Sequence, residues 1–507
     1  MSATPNQRLT NKLGSMDSQA FESNIRSSVV TNLINDNHNE IDRVTKYHLY
    51  WKFYQGLHYN QANDAFLTFN YTRAFIDKIN QFLLGDDSFS FKVQGYYTDS
   101  IPDEVDDAVG KLMMGVWRRN KHKQLSQELL QMGSVCGDAW MGVFYKEGFG
   151  IELKLFDSRK CIPTFKDGNV DDLESFKVIN TLEGSEEYKI MVYEYTKTHV
   201  NTWKQTHTNS KGLRDADKKD LKSVEHKLGK VPVVHFKNKP NSGGYYSVSD
   251  ADDILKLNKI YNELYQEIKG IIDYHSAPTT VVTGATVKNM SRGLGKVWSG
   301  LPPEANVFNL GLDVDLSASM EFLDRIKTAM HELSDIPEGV LGKIQSISGT
   351  SAAALKLTYQ PIYQRASLKA LSYGEGIKDV NDLIMDYLPL LQNGGMLSDT
   401  EKALLAKVPK NFGNEYECAA VWTYGFPIDR MSILQELQIE LQLDLASIAE
   451  ALKRLGKNNI PDLLKDIDND KIKKAELQAQ IAEIMGSING GLPPEPGTET
   501  PPTQEEN

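Results

Sequence analysis

The 507-residue chain is 40% hydrophobic and 24% charged with 37 glycines, the balance of a globular protein with material for roughly three domains. Its mean hydropathy of −0.41 and the lack of any apolar run near the roughly 18–20 residues of a membrane span exclude an integral membrane protein, and the polar start Met1–Thr10 lacks the apolar core of a secretion signal. A formal net charge of −12 argues against gripping nucleic acid through phosphate neutralisation, and three scattered cysteines (Cys136, Cys161, Cys418) exclude a disulfide framework or a CxxC knuckle and fit a reducing cytoplasm.

Residues 1–40 are polar and rich in Asn and Ser, and read as a flexible N-terminal segment. Ile41–Leu84 reads as helical: aromatic residues from Tyr47 to Tyr54 precede a stop at Gly56, and Phe75, Ile79, Phe82 and Leu83 recur at helical spacing before Gly85. These aromatics read as core. Ile101–Cys136 is a further helical interval, and its basic run Arg118–Lys123 is most simply a solvated turn between helices. Ala139–Tyr145 and Ile151–Phe156 flank Lys146–Gly150 as a hairpin, Phe176–Leu182 and Tyr188–Tyr195 alternate around a turn, and Val231–Phe236 is another strand. Asn209–Lys230 is charge-dense and reads as a surface excursion.

Ser249 opens a different regime. Ser249-x-x-Asp252 fits a capping-box start, followed by Ile254, Leu257, Tyr261, Leu264, Ile268 and Ile271 at alternating spacings of three and four. That seam predicts a helix of about 27 residues, roughly 40 Å long, ending at Pro278 and packing along one stripe. A short β-like insertion leads to a second helix, capped by Ser317 or Ser319, with Phe322, Ile326, Ala329 and Leu333 on one face. A Gly/Ser-punctuated loop over Ile336–Thr350 precedes a long helix from Ser351 to Leu391. Pro361 predicts a kink in it, and glycine-flanked Glu375 offers a second bend. Residues 397–427 read as mixed. Leu434, Leu437, Leu441, Leu445, Ile448, Leu452 and Leu455 form a stripe, Lys471–Met485 is amphipathic, and the Pro/Gly/Thr/Glu-rich stretch 487–507 reads as a disordered tail.

The chemistry-bearing patterns fail inspection. None of the Gly-Lys pairs has the preceding glycine of a phosphate loop, and Gly293-x-Gly295 meets Trp298 where a dinucleotide loop needs glycine. There is no Gly-x-Ser-x-Gly, no His-Glu-x-x-His and no Cys/His cluster at ligand spacing. Asp466–Asp470 imitates a calcium loop, but Lys471 stands where glycine is required and Leu477 where the bidentate Glu belongs, so a solvated turn between helices is the better reading. His235 and His331 read as structural, and Asp99–Asp107 and Asp250–Asp253 as surface and helix-start acids. No cofactor and no metal are expected.

Several stretches nevertheless occur in a telling order: Tyr54-Gln-Gly56, Asn70–Asp77, Leu83-Leu-Gly85, Gly133–Trp140, Val231–Phe236, Ser247–Asp253 with the long helix, and Ile347–Leu357 with the proline-bearing helix. Together they resemble the portal proteins of tailed bacteriophages, particularly the siphophage group, over about residues 45–485. The resemblance implies an α+β multidomain subunit: a flexible segment at 1–40, an α/β wing at 41–248, a first stem helix at 249–277, a small β-rich clip at 278–316, a second stem helix at 317–335, a tunnel loop at 336–350, a kinked helix and wing return at 351–426, an α-helical crown at 427–486 and a tail at 487–507.

The same resemblance implies a non-enzymatic homo-oligomer, usually of twelve copies, at one capsid vertex of the virion and assembled in the host cytoplasm. It would pass double-stranded DNA in packaging and ejection, dock the terminase at the clip, and meet a head-tail adaptor and the major capsid and scaffolding proteins. The stem seam (Ile254, Leu257, Tyr261, Leu264, Ile268, Ile271, Phe322, Ile326, Ala329, Leu333) would pack between subunits. Arg325, Lys327, Lys343, Gln345 and Ser346 are candidates for the DNA channel, with an outer-surface or ion-pair role for the basic ones equally open. A twelve-copy ring would carry −144, twelve times the −12 of one chain, and an acidic corridor keeps duplex DNA from sticking. Another head or tail assembly protein and an unrecognised hydrolase or nuclease are the rival readings.

Overall fold

Phe75, Ile79, Phe82 and Leu83 do share the buried face of one helix, which starts at Asn70, whose side chain accepts from the Arg73 N–H, and stops at Gly85. The computed structural model describes residues 38–57, 68–85, 89–98, 101–166, 169, 171–182, 189–206, 218–242, 244–276, 279–284, 302–310, 316–341, 352–410, 412–422, 430–455 and 460–489. Within them the fold is mixed α/β, with twelve α-helices and four small antiparallel sheets, and the chain divides into two compact units, Met1–Phe426 and Pro427–Asn507.

In the first unit, α1 (His38–Gln55) and α2 (Tyr71–Leu84) lead to β1 (Phe89–Gly95), then α3 (Asp103–Arg119) and α4 (His122–Cys136). The turn expected over the basic run is confined to Asn120 and Lys121, the latter left-handed at φ 55°, while Arg118 and Arg119 end α3 and His122 and Lys123 begin α4. Next come β2 (Asp138–Lys146), β3 (Gly150–Phe156), β4 (Cys161–Phe165), β5 (Leu173–Leu182), β6 (Lys189–Thr196), β7 (His199–Thr206), β8 (Lys218–Glu225) and β9 (Val233–Lys237). The predicted hairpin is β2–β3 with Met141 opposite Leu155, and β9 joins the other edge of β2 with Phe236 opposite Ala139. Strands β4 to β8 form a five-stranded meander. The charge-dense stretch at 209–230 is therefore not wholly an excursion: β8 runs through it as the sheet's edge, where Asp220 at φ 56° sits in a register shift and the lysines suit a solvated border.

Two helices, α5 (Asp252–Ser276) and α6 (Ser317–Ser334), pack together and are linked through the ribbon β10 (Thr279–Thr283) with β11 (Asn306–Leu310). Residues 285–301 lie outside the described residues. Neither Ser317 nor Ser319 caps α6, which starts at Leu316 without a side-chain cap. The chain continues through α7 (Ala352–Asn393), α8 (Asp399–Leu405), α9 (Phe412–Glu415) and β12 (Tyr416–Trp422), which returns to pair with β1, placing Phe89 opposite Trp422.

The kink expected at Pro361 does not interrupt α7, which runs unbroken through Pro361 and Pro389. Both prolines are exposed while Ile362, Ala366 and Leu388 are buried, so each missing N–H falls on the side where water can take the orphaned carbonyl. Of the two glycines beside Glu375, Gly376 serves packing. A Cβ on Gly376 would stand 2.5 Å from the Phe236 ring, and one on Gly133 of α4 would stand 1.9 Å from the Tyr373 hydroxyl oxygen. Those two close approaches seat α7 against β9 and α4 in a core that also buries Trp117, Met113 and Ile384.

The second unit contains α10 (Arg430–Gln442), α11 (Ile448–Arg454) and α12 (Ile460–Asn489). The leucine stripe expected here as one run is broken: Asp444 is left-handed at φ 55°, and the Ser447 side chain caps α11 by accepting from the Glu450 N–H at 3.2 Å. Leu437 is buried, whereas Leu434 and Leu445 are exposed. Asp466–Asp470, expected as a turn, lies inside α12.

Replacing Gly376 by Ala inserts a methyl against an immobile ring, and the expected cost is about 1–3 kcal/mol. Urea unfolding of Gly376→Ala beside Gly374→Ala, whose Cβ meets nothing closer than 3.7 Å, checks this, with loss expected only in the first.

Candidate functional site

The alternating seam of α5 predicts one sticky stripe, and Ile254, Tyr261 and Ile268 are indeed buried, with Leu257 and Leu264 packed beside them. Their cover, however, comes from within the chain. Phe75 and Ile79 of α2, Leu323, Ile326 and Met330 of α6, and Ile362 and Ala366 of α7 close over the stripe. As far as these residues go, the seam expected between subunits is an intramolecular core. On α6 the buried line is Leu323, Ile326 and Met330, so the predicted stripe is offset: Ile326 belongs to it and Ala329 is half-buried, but Phe322 and Leu333 point outward, each 52% exposed. Ile271, near the far end of α5, is half-buried.

The candidate channel cations are partnered. Arg325, on the exposed face of α6, donates to Glu321 one turn earlier at 2.7 Å, and Lys327 lies 3.9 Å from Glu338. Lys343, Gln345 and Ser346 lie outside the described residues. Among the described residues no three His, Cys, Asp or Glu side chains converge as a metal site.

The densest polar construction lies at the root of α5, where surface acids were expected. Asp250 is buried, 2.6 Å from the Lys369 ammonium, 3.2 Å from the Arg365 guanidinium and 3.6 Å from Lys239. Lys369 also donates to Ser134 Oγ at 2.5 Å, and Arg365 donates to the Leu333 carbonyl at 3.3 Å and lies 3.4 Å from Asp335. The Asp250 N–H donates to the Ser134 carbonyl, and Ser249 Oγ donates to the Ser134 and Val135 carbonyls rather than closing a capping box. One carboxylate thus joins the ends of α4 and α6, the start of α5 and the middle of α7. Burial alone would raise its pKa; Lys369, Arg365 and Lys239 overcome that and hold it well below the carboxylate range.

Two further clusters fix the same region. Asp138, fully buried, accepts from the Tyr47 hydroxyl, from the Ser247 N–H at 3.0 Å and from His235 Nε2 at 2.7 Å, while the His235 ring stacks on Trp140 with centroids 4.0 Å apart. Glu40 accepts from Arg43 at 2.6 Å and from the Tyr246 hydroxyl. His331 donates to the Ile336 carbonyl at 2.8 Å, so both singled-out histidines have structural partners.

Two hollows flank these clusters. One, of about 720 Å³, lies over the Asp250 node and is walled by Pro240, Leu333, Pro361, Leu368 and Leu371. The other, of about 620 Å³, is bounded by β9 and by Asp379 and Asp382 of α7. Burial, and then neighbouring Asp379, push the Asp382 carboxyl up to about 6, against opposing pulls from Lys378 and Lys230. Sequence reasoning missed the Asp250 node, although one signal was there. In the stretch 357–374 of α7 the charged residues are Arg365 and Lys369, one turn apart.

The family model described as "Phage portal protein, SPP1 Gp6-like" matches residues 32–483, most of the chain. The chain belongs to that portal family. No curated protein matches it. Among solved structures it is similar to a chain of the virion of a native gene transfer agent particle, at 11% identity and TM-score 0.41, covering 82% of this chain and 94% of that one. It is also similar to a chain in the neck of the empty particle computed with C6 symmetry, at 11% identity and TM-score 0.39 (68% and 92% covered). A third is a chain in the neck of the native particle computed with C12 symmetry, at 12% identity and TM-score 0.39 (76% and 89% covered). The portal family is structural, and the mixed α/β architecture above is what this member builds.

Removing the Asp250 charge while leaving its partners buried should be severe. Asp250→Asn is expected to lose roughly 3–5 kcal/mol, and the double variant Asp250→Asn/Lys369→Met to lose less than the two single changes added together, read by urea unfolding. For Asp382 the raised pKa means the folded state favours the proton. Its contribution therefore improves as pH falls through about 6 toward the ordinary carboxylate range. Asp382→Asn should accordingly raise Tm at pH 8, with the gain shrinking toward pH 5.

Proposed function

We propose that this chain is a ring-forming portal subunit built of these parts: wing 41–248, stem helices 249–277 and 317–335, clip 278–316, tunnel loop 336–350, kinked helix and wing return 351–426, and crown 427–486. The single observation that carries the reading is the family match across residues 32–483. The arrangement of α5 and α6, packed together with the β10–β11 ribbon between them in sequence, agrees with a stem that ends in a clip.

In this reading about twelve copies surround a passage for double-stranded DNA at one capsid vertex. The terminase docks at the clip, a head-tail adaptor joins later, and capsid and scaffolding proteins hold the rim. The subunit is a conduit and not an enzyme, because hydrolysis belongs to the motor. Charge supports passage over adhesion: Arg325 and Lys327 each lie against an acid, so α6 offers a DNA phosphate little uncompensated positive charge. With the α5 stripe taken up inside the chain, contacts between stems fall to outward residues such as Phe322 and Leu333.

Electron micrographs of the purified full chain should show rings with a central hole of about duplex width, and no turnover of DNA or nucleotide should accompany them. Uniform monomers, or turnover abolished by one carboxylate substitution, would overturn the proposal. Leu264→Pro, in the middle of α5, should abolish the rings by breaking the helix, at a cost of about 3 kcal/mol or more. Normal rings from that variant would contradict the stem assignment.

A further inference from the structure

The hollow of about 620 Å³ between β9 and α7 is lined by five carboxylates and three ammonium groups. The ammonium groups are all taken. Lys237 lies 2.5 Å from Asp171 and Lys197 lies 3.1 Å from Asp172, both acids of the turn between β4 and β5. Lys230, just before β9, reaches across to Asp386 of α7 at 2.8 Å. Glu375 has Lys378 at 3.3 Å, and Lys378 also lies 3.1 Å from Glu417 of β12. Asp379 and Asp382 are left over: among the described residues neither has a cation within ion-pair distance.

Three residues apart on one helix, these two carboxyls are neighbours, with Cβ atoms about 5–6 Å from each other. Asp379 is exposed and Asp382 half-buried. Three further titratable groups stand near the pair. Tyr96, past the end of β1, and Cys418 of β12 both feel the Asp382 charge, and His235 of β9 is already engaged by Asp138 at 2.7 Å through Nε2. Behind the charges the walls are apolar, with Phe165, Leu173, Val231 and Val234 on the sheet side and Leu383 on α7. Such a space has two ways of being stable. With both carboxyls ionised, their repulsion and their need for water hold the walls apart. With a proton between them, the apolar walls gain by meeting. Burial, and then the neighbouring acids, push both carboxyls upward against the pull of Lys378 and Lys230, so the change falls near pH 6, the value for Asp382.

We propose that this hollow is a proton-operated clasp: open and wet while Asp379 and Asp382 are both ionised, and closed, with β9 and the β4–β5 turn drawn onto α7, once the pair holds a proton. The Lys230–Asp386 pair, which bridges the two walls, is its hinge. The clasp works within a single chain, so it stands apart from the portal reading and gives the first unit a response to acidity.

Hydrogen–deuterium exchange of the full chain at pH 7.5 and 5.5, corrected for the intrinsic effect of pH on exchange, tests it. Amides of β9 and of residues 171–173 should exchange at least threefold more slowly at pH 5.5, whereas those of α3 and α4, which do not line the hollow, should keep their rates. In Asp379→Asn/Asp382→Asn, with no charge left to lose, the slow rate should hold at both pH values. Equal rates in the wild type, a slowing spread evenly over α3 and α4, or a pH response retained by the double variant would overturn the proposal. The wild-type comparison needs no variant, so a double variant that fails to fold leaves the test decisive.

Discussion

A single buried carboxylate organises the first unit. Asp250 holds two buried cations of α7, donates its backbone N–H to a carbonyl at the end of α4, and stands two residues before α5 begins. A buried ion cluster of this sort is a poor source of net stability, because desolvation offsets most of the attraction. What it does enforce is geometry. Apolar surfaces can slide past one another at small cost, whereas Lys369 moved a few ångströms from Asp250 would be an unpaired charge in the core. The start of α5 is therefore held beside α4 and α7 by this ion cluster, and the hydrophobic stripe along the helix packs from there.

Tyr47 and Tyr50 of α1 extend the same logic. The hydroxyl of Tyr47 ends on buried Asp138 and that of Tyr50 on exposed Asp252 at 2.5 Å, so aromatic bodies supply apolar packing while their tips bond the acids beside them. The aromatic cluster of the first helix is core, and it is also the polar lining of the joint. Its rings and the carboxylates depend on one another.

Much of this was legible from the residues. Alternation marked β5 and β6, the loop Lys146–Gly150 marked the β2–β3 hairpin, and the Gly56 and Gly85 stops were visible. The α5 seam was right in its buried positions, because a 3–4 spacing reports which side is apolar. It does not report what covers that side, and Leu323 and Met330 of the same chain got there first. The offset on α6 has a similar origin: Phe322 and Leu333 looked like seam residues by size, but helical phase put Leu323 and Met330 inward. Asp250 was misjudged because a carboxylate at a helix start is usually solvated, and its three cations come from positions 239, 365 and 369, which only folding brings together.

The outer border of the five-stranded sheet has a meaning once many copies share one small volume. An uncovered strand is an invitation to zip onto another molecule's strand, and any assembly that concentrates identical chains multiplies the invitations. Here β8 declines them: the irregular Asp220 spoils the straight run of donors and acceptors, and Lys219 and Lys222 make a crowded approach repulsive. The edge of the sheet thus resists knitting identical chains into aggregates wherever they are concentrated.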